Sequence, residues 1–234
     1  MKKLVSLLLA LSLGAQPLPA GGGAPPEQEA AEEKYIALTF DDGPSGELTQ
    51  TLLDGLSARG VKATFFVCGY RVEQYPQTLR RIAQEGHALG LHSCCHDYMQ
   101  NMSYEQALDD LARCAETVER CCGVRARLFR PPGGLTSPAL LDAAKSRGLP
   151  VILWSVDPMD WDRAHHAGVY ETVVQDASPG AVILMHDLFE NSVSCALRAI
   201  DTLQAQGYRF VTVPELAARA GSALTPGTVY RSFS

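Results

Sequence analysis

The chain has 234 residues, of which 46% are hydrophobic and 20% are charged, and its formal net charge is −6 at pH 7. This length provides for one sizeable hydrophobic core and leaves no second block of folded length for another domain. The acidic balance argues against nucleic-acid binding, because domains that bind nucleic acids carry basic surfaces.

The N-terminus has the pattern of an export signal. Lys2 and Lys3 precede an apolar run over residues 4–15, and small residues and prolines follow it. Residues 1–20 are therefore predicted to be a signal peptide, with an uncleaved N-terminal anchor through residues 4–15 as the alternative, although the run is short for a membrane span. In both cases we expect the domain to be secreted or held at the extracellular face of the membrane. Residues 21–33, rich in Gly, Pro, Ala and Glu, are predicted to be a flexible linker.

From residue 34 onwards, short β-type runs alternate with longer helical patterns about seven times. The predicted strands lie near residues 35–40, 62–67, 87–92, 126–130, 150–155, 181–186 and 209–213. The predicted helices lie near residues 47–59, 72–85, 103–121, 137–147, 169–176, 192–206 and 214–220. Runs such as 181–185 are continuously apolar, as expected of parallel strands that are covered on both faces. The domain is predicted to span residues 34–220, followed by a C-terminal tail over residues 221–234.

Five short segments, each directly after a predicted strand, hold most of the reactive side chains. They are Thr39-Phe40-Asp41-Asp42-Gly43, His92-Ser93-Cys94-Cys95-His96, Phe129-Arg130-Pro131-Pro132-Gly133, Asp157-Pro158-Met159-Asp160-Trp161 and Leu184-Met185-His186. The carboxyl ends of parallel strands converge on one mouth in a barrel, whereas an open sheet brings few strand ends to its ligand. The sequence therefore predicts a barrel-like α/β fold rather than an open doubly wound sheet. It contains no glycine-rich phosphate loop, so no nucleotide cofactor is expected.

Two of these segments have the residue types of a metal site. His92 and His96 are four residues apart directly after a strand, and Asp42 adds a carboxylate from the end of the first strand. Two histidines and one carboxylate form a facial ligand set that leaves positions open for water and substrate. Asp41 and Asp42 diverge in an extended chain, so we expect one carboxylate to bind the metal and the other to accept a proton from water. A simple Asx-capped turn at Asp-Asp-Gly-Pro is the alternative interpretation.

Together and in this order, the five segments resemble the five motifs of the polysaccharide deacetylases, carbohydrate esterase family four, with the NodB-type homology domain. The resemblance covers residues 35–220. It implies a distorted (β/α) barrel of about seven strands and a divalent metal, usually zinc, on Asp42, His92 and His96. It also implies hydrolytic removal of an acetyl group from an N-acetylated sugar.

Further roles are implied position by position. The resemblance makes Asp41 the general base and Arg130 the residue that pairs with it. It makes His186 the general acid for the leaving amine, held and charged by Asp160. Substrate contacts are implied for Pro132, Gly133, Trp161 and Leu184, with Trp161 and Leu184 forming the acetyl-binding wall and the backbone N–H after Pro132 facing the oxyanion.

Two features depart from the family pattern. The third motif commonly has an aromatic residue after Pro-Pro, where this chain has Gly133 and Gly134, so a side-chain wall of the sugar groove is expected to be lost. Cys94 and Cys95 lie between the two ligand histidines, and thiolates are good zinc ligands. We expect both to be spectators, because Asp42 already completes the ligand set. The chain has seven cysteines, and no disulfide pairing is predicted.

Three other polar residues lie within or near these segments in sequence. His87, at the start of a strand, is expected to be a packed or capped residue rather than a ligand. Asp157 and Asp187 are expected at most to support the site through hydrogen bonds.

The sequence thus predicts a secreted, metal-dependent deacetylase of an N-acetylated glycan. Peptidoglycan, at N-acetylglucosamine or N-acetylmuramic acid, is the expected substrate because the chain is predicted to be exported. Chitin oligomers, exopolysaccharide and xylan are alternative substrates, and a catalytically weak glycan-binding module is an alternative function. We expect a monomer that binds its glycan and neither nucleic acid nor a nucleotide.

Overall fold

The computed structural model describes residues 33–233. The predicted signal or anchor and most of the predicted linker therefore lie outside the described residues. Within the described part of the chain, no helix is both long enough and apolar enough to cross a membrane.

Between residues 33 and 233, eight strands form one sheet, and every pairing between these strands is parallel. The strands are β1 (Lys34–Asp41), β2 (Thr64–Val67), β3 (Ala88–Leu91), β4 (Leu128–Phe129), β5 (Val151–Ile152), β6 (Val182–His186), β7 (Tyr208–Phe210) and β8 (Val229–Tyr230). Their order is β6-β1-β2-β3-β4-β5-β8, and β7 pairs with the first residues of β1. All seven predicted strands are present.

The chain that follows β5 curls back towards the other side of the sheet. Val156 forms a parallel bridge with Ile183 of β6. The Leu184 N–H donates to the Val156 carbonyl over 3.0 Å, and the Ser155 N–H donates to the Val182 carbonyl over 3.0 Å. These bonds join the two sides of the curved sheet, so the predicted distorted α/β barrel is confirmed.

Eight α-helices accompany the strands in the described residues. They are α1 (Glu47–Ala58), α2 (Gly69–Gln74), α3 (Pro76–Gln84), α4 (Tyr104–Cys122), α5 (Pro138–Ser146), α6 (Val169–Asp176), α7 (Glu190–Ala205) and α8 (Val213–Arg219). The single helix predicted over residues 72–85 is wrong: the chain breaks at Tyr75, where φ is −127° and ψ is 55°. A proline disfavours the helical conformation of the residue before it, and Pro76 then begins α3.

The core lies on both faces of the sheet. On one face, helices such as α1 pack through fully buried side chains, among them Leu52, Leu53 and Leu56. On the other face, Phe66, Leu128 and Ile152 form a second cluster with residues of α8 and with Phe233. Such two-sided burial accounts for the continuously apolar strands.

The segment that was predicted to be a C-terminal tail instead returns to the sheet. Its strand β8 pairs with β5 through Val229 and Val151, and Phe233 is buried. The domain therefore continues beyond residue 220. With only two residues, β8 leaves no apolar run from which a strand could be predicted.

Candidate active site

The sheet register places the predicted base and acid side by side. Asp41 is the last residue of β1, His186 is the last residue of β6, and the two are register partners on adjacent parallel strands. Asp42 follows β1 directly, and His92 follows β3. The predicted site residues therefore meet at the carboxyl ends of the strands, as parallel pairing requires.

Asp42, His92 and His96 form a compact group of possible ligands. One potential ligand atom from each residue lies within 4.8 Å of the others. Asp42 Oδ1 is 3.2 Å from His92 Nε2 and 3.1 Å from His96 Nε2. His92 is buried, whereas Asp42 and His96 are half-buried and reach solvent. A carboxylate and two imidazoles with one open side match the donors of a catalytic divalent-metal site.

The hydrogen bonds of His92 show which of its nitrogens faces this group. Its Nδ1 lies 2.7 Å from the Arg130 carbonyl oxygen, and because a carbonyl can only accept, Nδ1 carries the proton. In the neutral ring, Nε2 then presents its lone pair towards Asp42 Oδ1, a buried oxygen without a hydrogen-bond partner. A lone pair that faces an unpaired carboxylate oxygen is unfavourable unless a cation lies between them, so these residues fit a metal ion.

The charge state of Asp42 suits the same role. Burial alone would raise the pKa of its carboxyl, but hydrogen bonds from the imidazoles of His92 and His96 in their protonated form outweigh burial and hold the pKa well below its usual range. Asp42 is therefore an ionised carboxylate at neutral pH.

In this triad of possible metal ligands, Asp42, His92 and His96, two residues have an unusual backbone conformation. Asp42 has a φ of 71° and His96 has a φ of 60°, both in the left-handed region that residues other than glycine rarely enter. Such strain clusters at functional sites, because the surrounding structure must hold the residue in place. The two turns aim the side chains towards His92, and the sequence pattern gave no sign of this geometry.

Asp41 pairs with a fully buried arginine. Arg130 Nη1 donates to Asp41 Oδ1 over 2.7 Å, and both side chains are almost completely inaccessible to solvent. Asp41 Oδ2 lies 3.8 Å from His92 Nε2 and so faces the ligand group. One carboxylate oxygen is thus fixed by the guanidinium, while the other remains available on the side of the site.

Every nitrogen of the Arg130 guanidinium has a partner. Nε donates to the Ile152 carbonyl over 2.8 Å, Nη2 donates to the Leu153 carbonyl over 3.0 Å, and Nη1 also donates to Thr39 Oγ1 over 2.8 Å. The guanidinium carbon lies 4.1 Å from the centre of the Phe66 ring. Burial lowers the pKa of Arg130, partly offset by the charge of Asp41, yet an arginine remains protonated in proteins.

His186 is held by Asp160 through two hydrogen bonds. Asp160 Oδ1 lies 2.8 Å from His186 Nδ1, and Asp160 Oδ2 accepts the His186 backbone N–H over 2.8 Å. Burial alone would lower the pKa of this imidazole, but the hydrogen bond and the charge of Asp160 outweigh burial and raise the pKa to about 9. His186 is therefore protonated at neutral pH, and its Nε2 is left free on the side of the cavity.

These groups open into one cavity of about 330 Å³. It is lined by Asp41, Asp42, His92, His96, Tyr98, Gly133, Trp154, Asp157, Trp161, Leu184 and His186. Three of the four predicted substrate-binding residues, Gly133, Trp161 and Leu184, lie in this lining. The fourth, Pro132, is buried behind it.

A family model described as "Polysaccharide deacetylase" matches residues 28–152. The chain belongs to the polysaccharide deacetylase family. The match spans the predicted metal ligands and Arg130, and the distorted barrel agrees with the architecture that the motifs implied.

Several named members of the family are similar to this chain. The peptidoglycan-N-acetylmuramic acid deacetylase PdaC of Bacillus subtilis is 38% identical over 82% of the chain, and a peptidoglycan-N-acetylglucosamine deacetylase of Bacillus cereus is 38% identical over 79% of it. The alignment covers 41% of PdaC and 88% of the Bacillus cereus protein. The chain thus spans less than half the length of PdaC.

A solved structure of the family is also similar. The family 4 acetyl xylan esterase of Clostridium thermocellum, in complex with a cobalt ion, is 33% identical with a TM-score of 0.80, over 85% of this chain and 98% of that one. The fold is therefore shared across almost the whole of that esterase.

The two cysteines between His92 and His96 lie outside the group of possible metal ligands. The Cys94 Sγ is 3.5 Å from the Asp110 carbonyl oxygen, and the Cys94 N–H donates to Asp110 Oδ1 over 3.0 Å. Cys95 is exposed. In the described residues neither sulfur belongs to the group that could hold a metal, and all seven cysteines are free thiols.

Sequence reasoning gave no role to two aromatic residues of the cavity, Tyr98 and Trp154. Tyr98 follows the second ligand histidine by two residues, and Trp154 follows β5. Asp157, which was expected to support the site, accepts a hydrogen bond from Trp154 Nε1 over 3.1 Å. An aromatic residue two positions after the end of a motif or of a strand was the available signal for both.

Asp187 supports the site from outside the cavity. Its fully buried carboxylate accepts a hydrogen bond from Thr49 Oγ1, and it lies so close to Gly43 that a Cβ there would be 2.4 Å from Oδ1. Burial raises the pKa of Asp187 to about 6, although the bond from Thr49 lowers it. The turn after Asp42 is therefore packed directly onto this acid.

Proposed function

We propose that this chain is a metal-dependent deacetylase that hydrolyses the N-acetyl groups of peptidoglycan. The proposal is based mainly on the triad of Asp42, His92 and His96. Asp41 and the protonated His186 lie beside this triad at the ends of adjacent strands. A metal site with a free carboxylate on one side and an imidazolium on the other provides the groups that amide hydrolysis needs.

Asp42, His92 and His96 would hold a divalent cation, for which we propose zinc because imidazole and carboxylate ligands suit it. Such an ion supplies Lewis acidity, which polarises the acetyl carbonyl and makes water more acidic. Asp41 Oδ2 accepts the proton of the attacking water, since Asp41 Oδ1 is occupied by Arg130. The Arg130 guanidinium prevents the carboxylate from rotating away and compensates its negative charge.

His186 completes the reaction on the other side of the scissile bond. As the carbon–nitrogen bond breaks, His186 Nε2 donates a proton to the leaving amine, which departs as the free amino sugar while the acyl group becomes acetate. Asp160 keeps the proton on His186 Nδ1 and so directs Nε2 towards the substrate. Leu184 and Trp161 provide apolar lining for the acetyl methyl group, and the Gly133 N–H is the proposed donor to the oxyanion.

Peptidoglycan is proposed as the substrate on two grounds. The similar proteins of Bacillus subtilis and Bacillus cereus are named as peptidoglycan deacetylases. The N-terminal sequence also has the pattern of an export signal, and we propose that the domain acts outside the cytoplasmic membrane.

Acetate release from purified peptidoglycan, measured together with metal content, tests the proposal. We expect Asp41→Asn to retain the metal and to lose about 10²-fold to 10⁴-fold in rate, because only the base is removed. Asp42→Ala should lose both metal and activity. The exposed Asp54→Asn, whose carboxylate pairs with Arg81 on the surface, is the matched control and should change neither.

The outcomes separate the parts of the proposal. An active Asp41→Asn protein would remove Asp41 from the role of base. Acetate release from chitin oligomers or acetylated xylan but not from peptidoglycan would correct the substrate. Mass spectrometry of the digested muropeptides would identify whether the deacetylated sugar is N-acetylglucosamine or N-acetylmuramic acid.

A further inference from the structure

The two glycines of the third motif are in close contact with two aromatic rings. Gly133 and Gly134 both have a φ of 67°. A Cβ on Gly133 would lie 2.8 Å from Cε1 of Tyr98, and a Cβ on Gly134 would lie 2.7 Å from Cη2 of Trp154. Any side chain at position 133 would therefore collide with the Tyr98 ring, besides adopting a disfavoured backbone conformation. The space beside Gly133 is filled by Tyr98.

Tyr98 is held at the edge of the cavity although most of its side chain faces solvent. Its exposed fraction is 60%, whereas the next residue, Met99, is completely buried and anchors this part of the chain. The Tyr98 ring is edge-on to the His96 imidazole, with 6.1 Å between the ring centres and an interplanar angle of 65°. A large aromatic surface thus lies next to a proposed metal ligand, on the wall of the cavity.

The other aromatic residues of the cavity complete an apolar rim. Trp154 packs against Gly134 and is oriented by its hydrogen bond to Asp157. Trp161 also lines the cavity, and 52% of it is exposed. Exposed aromatic rings around a polar cavity are typical of ligand sites, where the ring supplies contact area at a low entropic cost.

We propose that Tyr98 is a sugar-binding platform that replaces the aromatic side chain absent at Gly133. Resting on the deacetylase function proposed above, this inference assigns Tyr98 to the pyranose ring that carries the acetyl group. The C–H bonds of a sugar ring pack against the negative face of an aromatic ring. The wall that the sequence predicted to be lost at Gly133 is then supplied by the second motif, two residues after His96.

Steady-state kinetics with soluble N-acetylglucosamine oligosaccharides and with peptidoglycan test this assignment. For Tyr98→Ala we expect KM to rise about tenfold, in line with the loss of one stacking contact, while kcat and metal content stay within about twofold of the unmodified chain. Tyr98→Phe should restore KM, because it retains the ring. Tyr70→Ala is the control, since Tyr70 is 43% exposed but lies outside the cavity lining.

A double-mutant cycle tests whether Tyr98 takes the place of the side chain absent at Gly133. Gly133→Ala should raise KM when Tyr98 is present, because the new methyl group displaces the ring. In the Tyr98→Ala background the same substitution should add little to KM, even though its backbone strain still lowers the melting temperature. An additive effect on KM would overturn the proposed replacement.

Other outcomes also count against the assignment. An unchanged KM in Tyr98→Ala, or a Tyr98→Phe protein that behaves like Tyr98→Ala, would overturn the stacking role. Equilibrium binding of the same oligosaccharide to Asp41→Asn, with and without Tyr98→Ala, measures the contact without turnover. If the unmodified chain releases no acetate, the proposed function fails, while this binding measurement still decides the role of Tyr98.

Discussion

Two buried histidines at opposite ends of the sheet have opposite electrostatic properties. His87 precedes β3 at its amino end, and His186 is the last residue of β6 at the carboxyl end, with exposed fractions of 6% and 9%. Burial and the charge of Lys62 lower the pKa of His87 to about 4, only partly offset by Glu85. Burial would do the same to His186, but Asp160 raises its pKa to about 9. One well-placed carboxylate therefore decides whether a buried imidazole is neutral or charged.

The difference extends to the surroundings of each residue. His87 accepts the Ala63 backbone N–H on its Nδ1 over 3.0 Å and packs edge-on against Phe65, so it behaves as part of the core. Around His186, four carboxylate or guanidinium side chains are also buried, those of Asp41, Arg130, Asp160 and Asp187. Buried charge is thus concentrated at the end of the sheet where the strands deliver the site residues, and the amino end is built for packing.

The largest expected effect comes from removing the buried cation at the carboxyl end. Arg130→Met should lower the free energy of unfolding by about 3–5 kcal/mol, because Asp41 is left as an uncompensated buried charge. Chemical denaturation measures this loss. Arg127→Met, an exposed arginine of the same segment, is the control. An equal loss of unfolding free energy in both variants would show that the carboxyl end of the sheet does not depend on its buried charges.

A smaller effect is expected from lowering the pKa of His186, so that this imidazole becomes neutral as His87 is. Asp160→Asn removes the charge that raises the pKa of His186, so the pKa should fall from about 9 to the ordinary value or below. A general acid must be protonated, so the alkaline limb of the kcat profile should move to lower pH, with a loss of roughly 30-fold at about pH 8.

The matched control for this experiment is Asp162→Asn. Asp162 Oδ2 lies 2.9 Å from Nδ1 of His165, but His165 is exposed, Asp162 is only half-buried, and both lie outside the cavity lining. The control should leave the profile in place. An unshifted profile in Asp160→Asn would show that His186 is not the acid that limits the alkaline limb.

The smallest effect is expected at the amino end and concerns stability rather than rate. The folded-state pKa of His87, about 4, lies below the ordinary value, so the unfolded chain binds more protons than the folded one between about pH 4 and 6.5. The contribution of His87 to stability is present above this window and is lost as the pH falls through it.

His87→Gln keeps an acceptor for the Ala63 N–H but does not titrate. Its melting temperature should therefore fall less than that of the unmodified chain on acidification from about pH 6.5 to 4. Parallel melting curves for the two proteins would show that His87 is not the titrating group. Deacetylation at neutral pH should be unchanged.

The fold was predictable where the sequence repeats one pattern. Apolar runs marked seven strands, and the alternation with helices implied parallel pairing, so the convergence of the strand ends on one pocket was predictable. That Asp41 and His186 lie on adjacent strands depends on the strand order and register, which the sequence pattern did not specify. The break before Pro76 and the strand β8 were missed, because one depends on a single backbone conformation and the other is only two residues long.

The residues of the candidate site could be proposed from the sequence, but the contacts that hold them in place could not. The spacing of the two histidines together with Asp42 suggested the three possible metal ligands. The resemblance to the family implied the pairs of Asp41 with Arg130 and of Asp160 with His186, which the structure brings into contact. The sequence pattern could not show that Arg130 also donates hydrogen bonds to two carbonyl groups at the carboxyl end of β5, or that Tyr98 fills the space beside Gly133. Arg130 and Tyr98 both lie in loops after strands, and the path of a loop cannot be predicted from a periodic sequence pattern.

The left-handed backbone at Asp42 and His96 limits which residues can evolve at these positions. Among residues other than glycine, aspartate, asparagine and histidine enter that region most readily. Only aspartate and histidine among them are also strong metal ligands. Glutamate or cysteine could supply a donor atom but would find the turn less accessible. The residue types that fit both positions are thus restricted by coordination chemistry and also by the backbone conformation. Few substitutions at these positions would therefore be neutral.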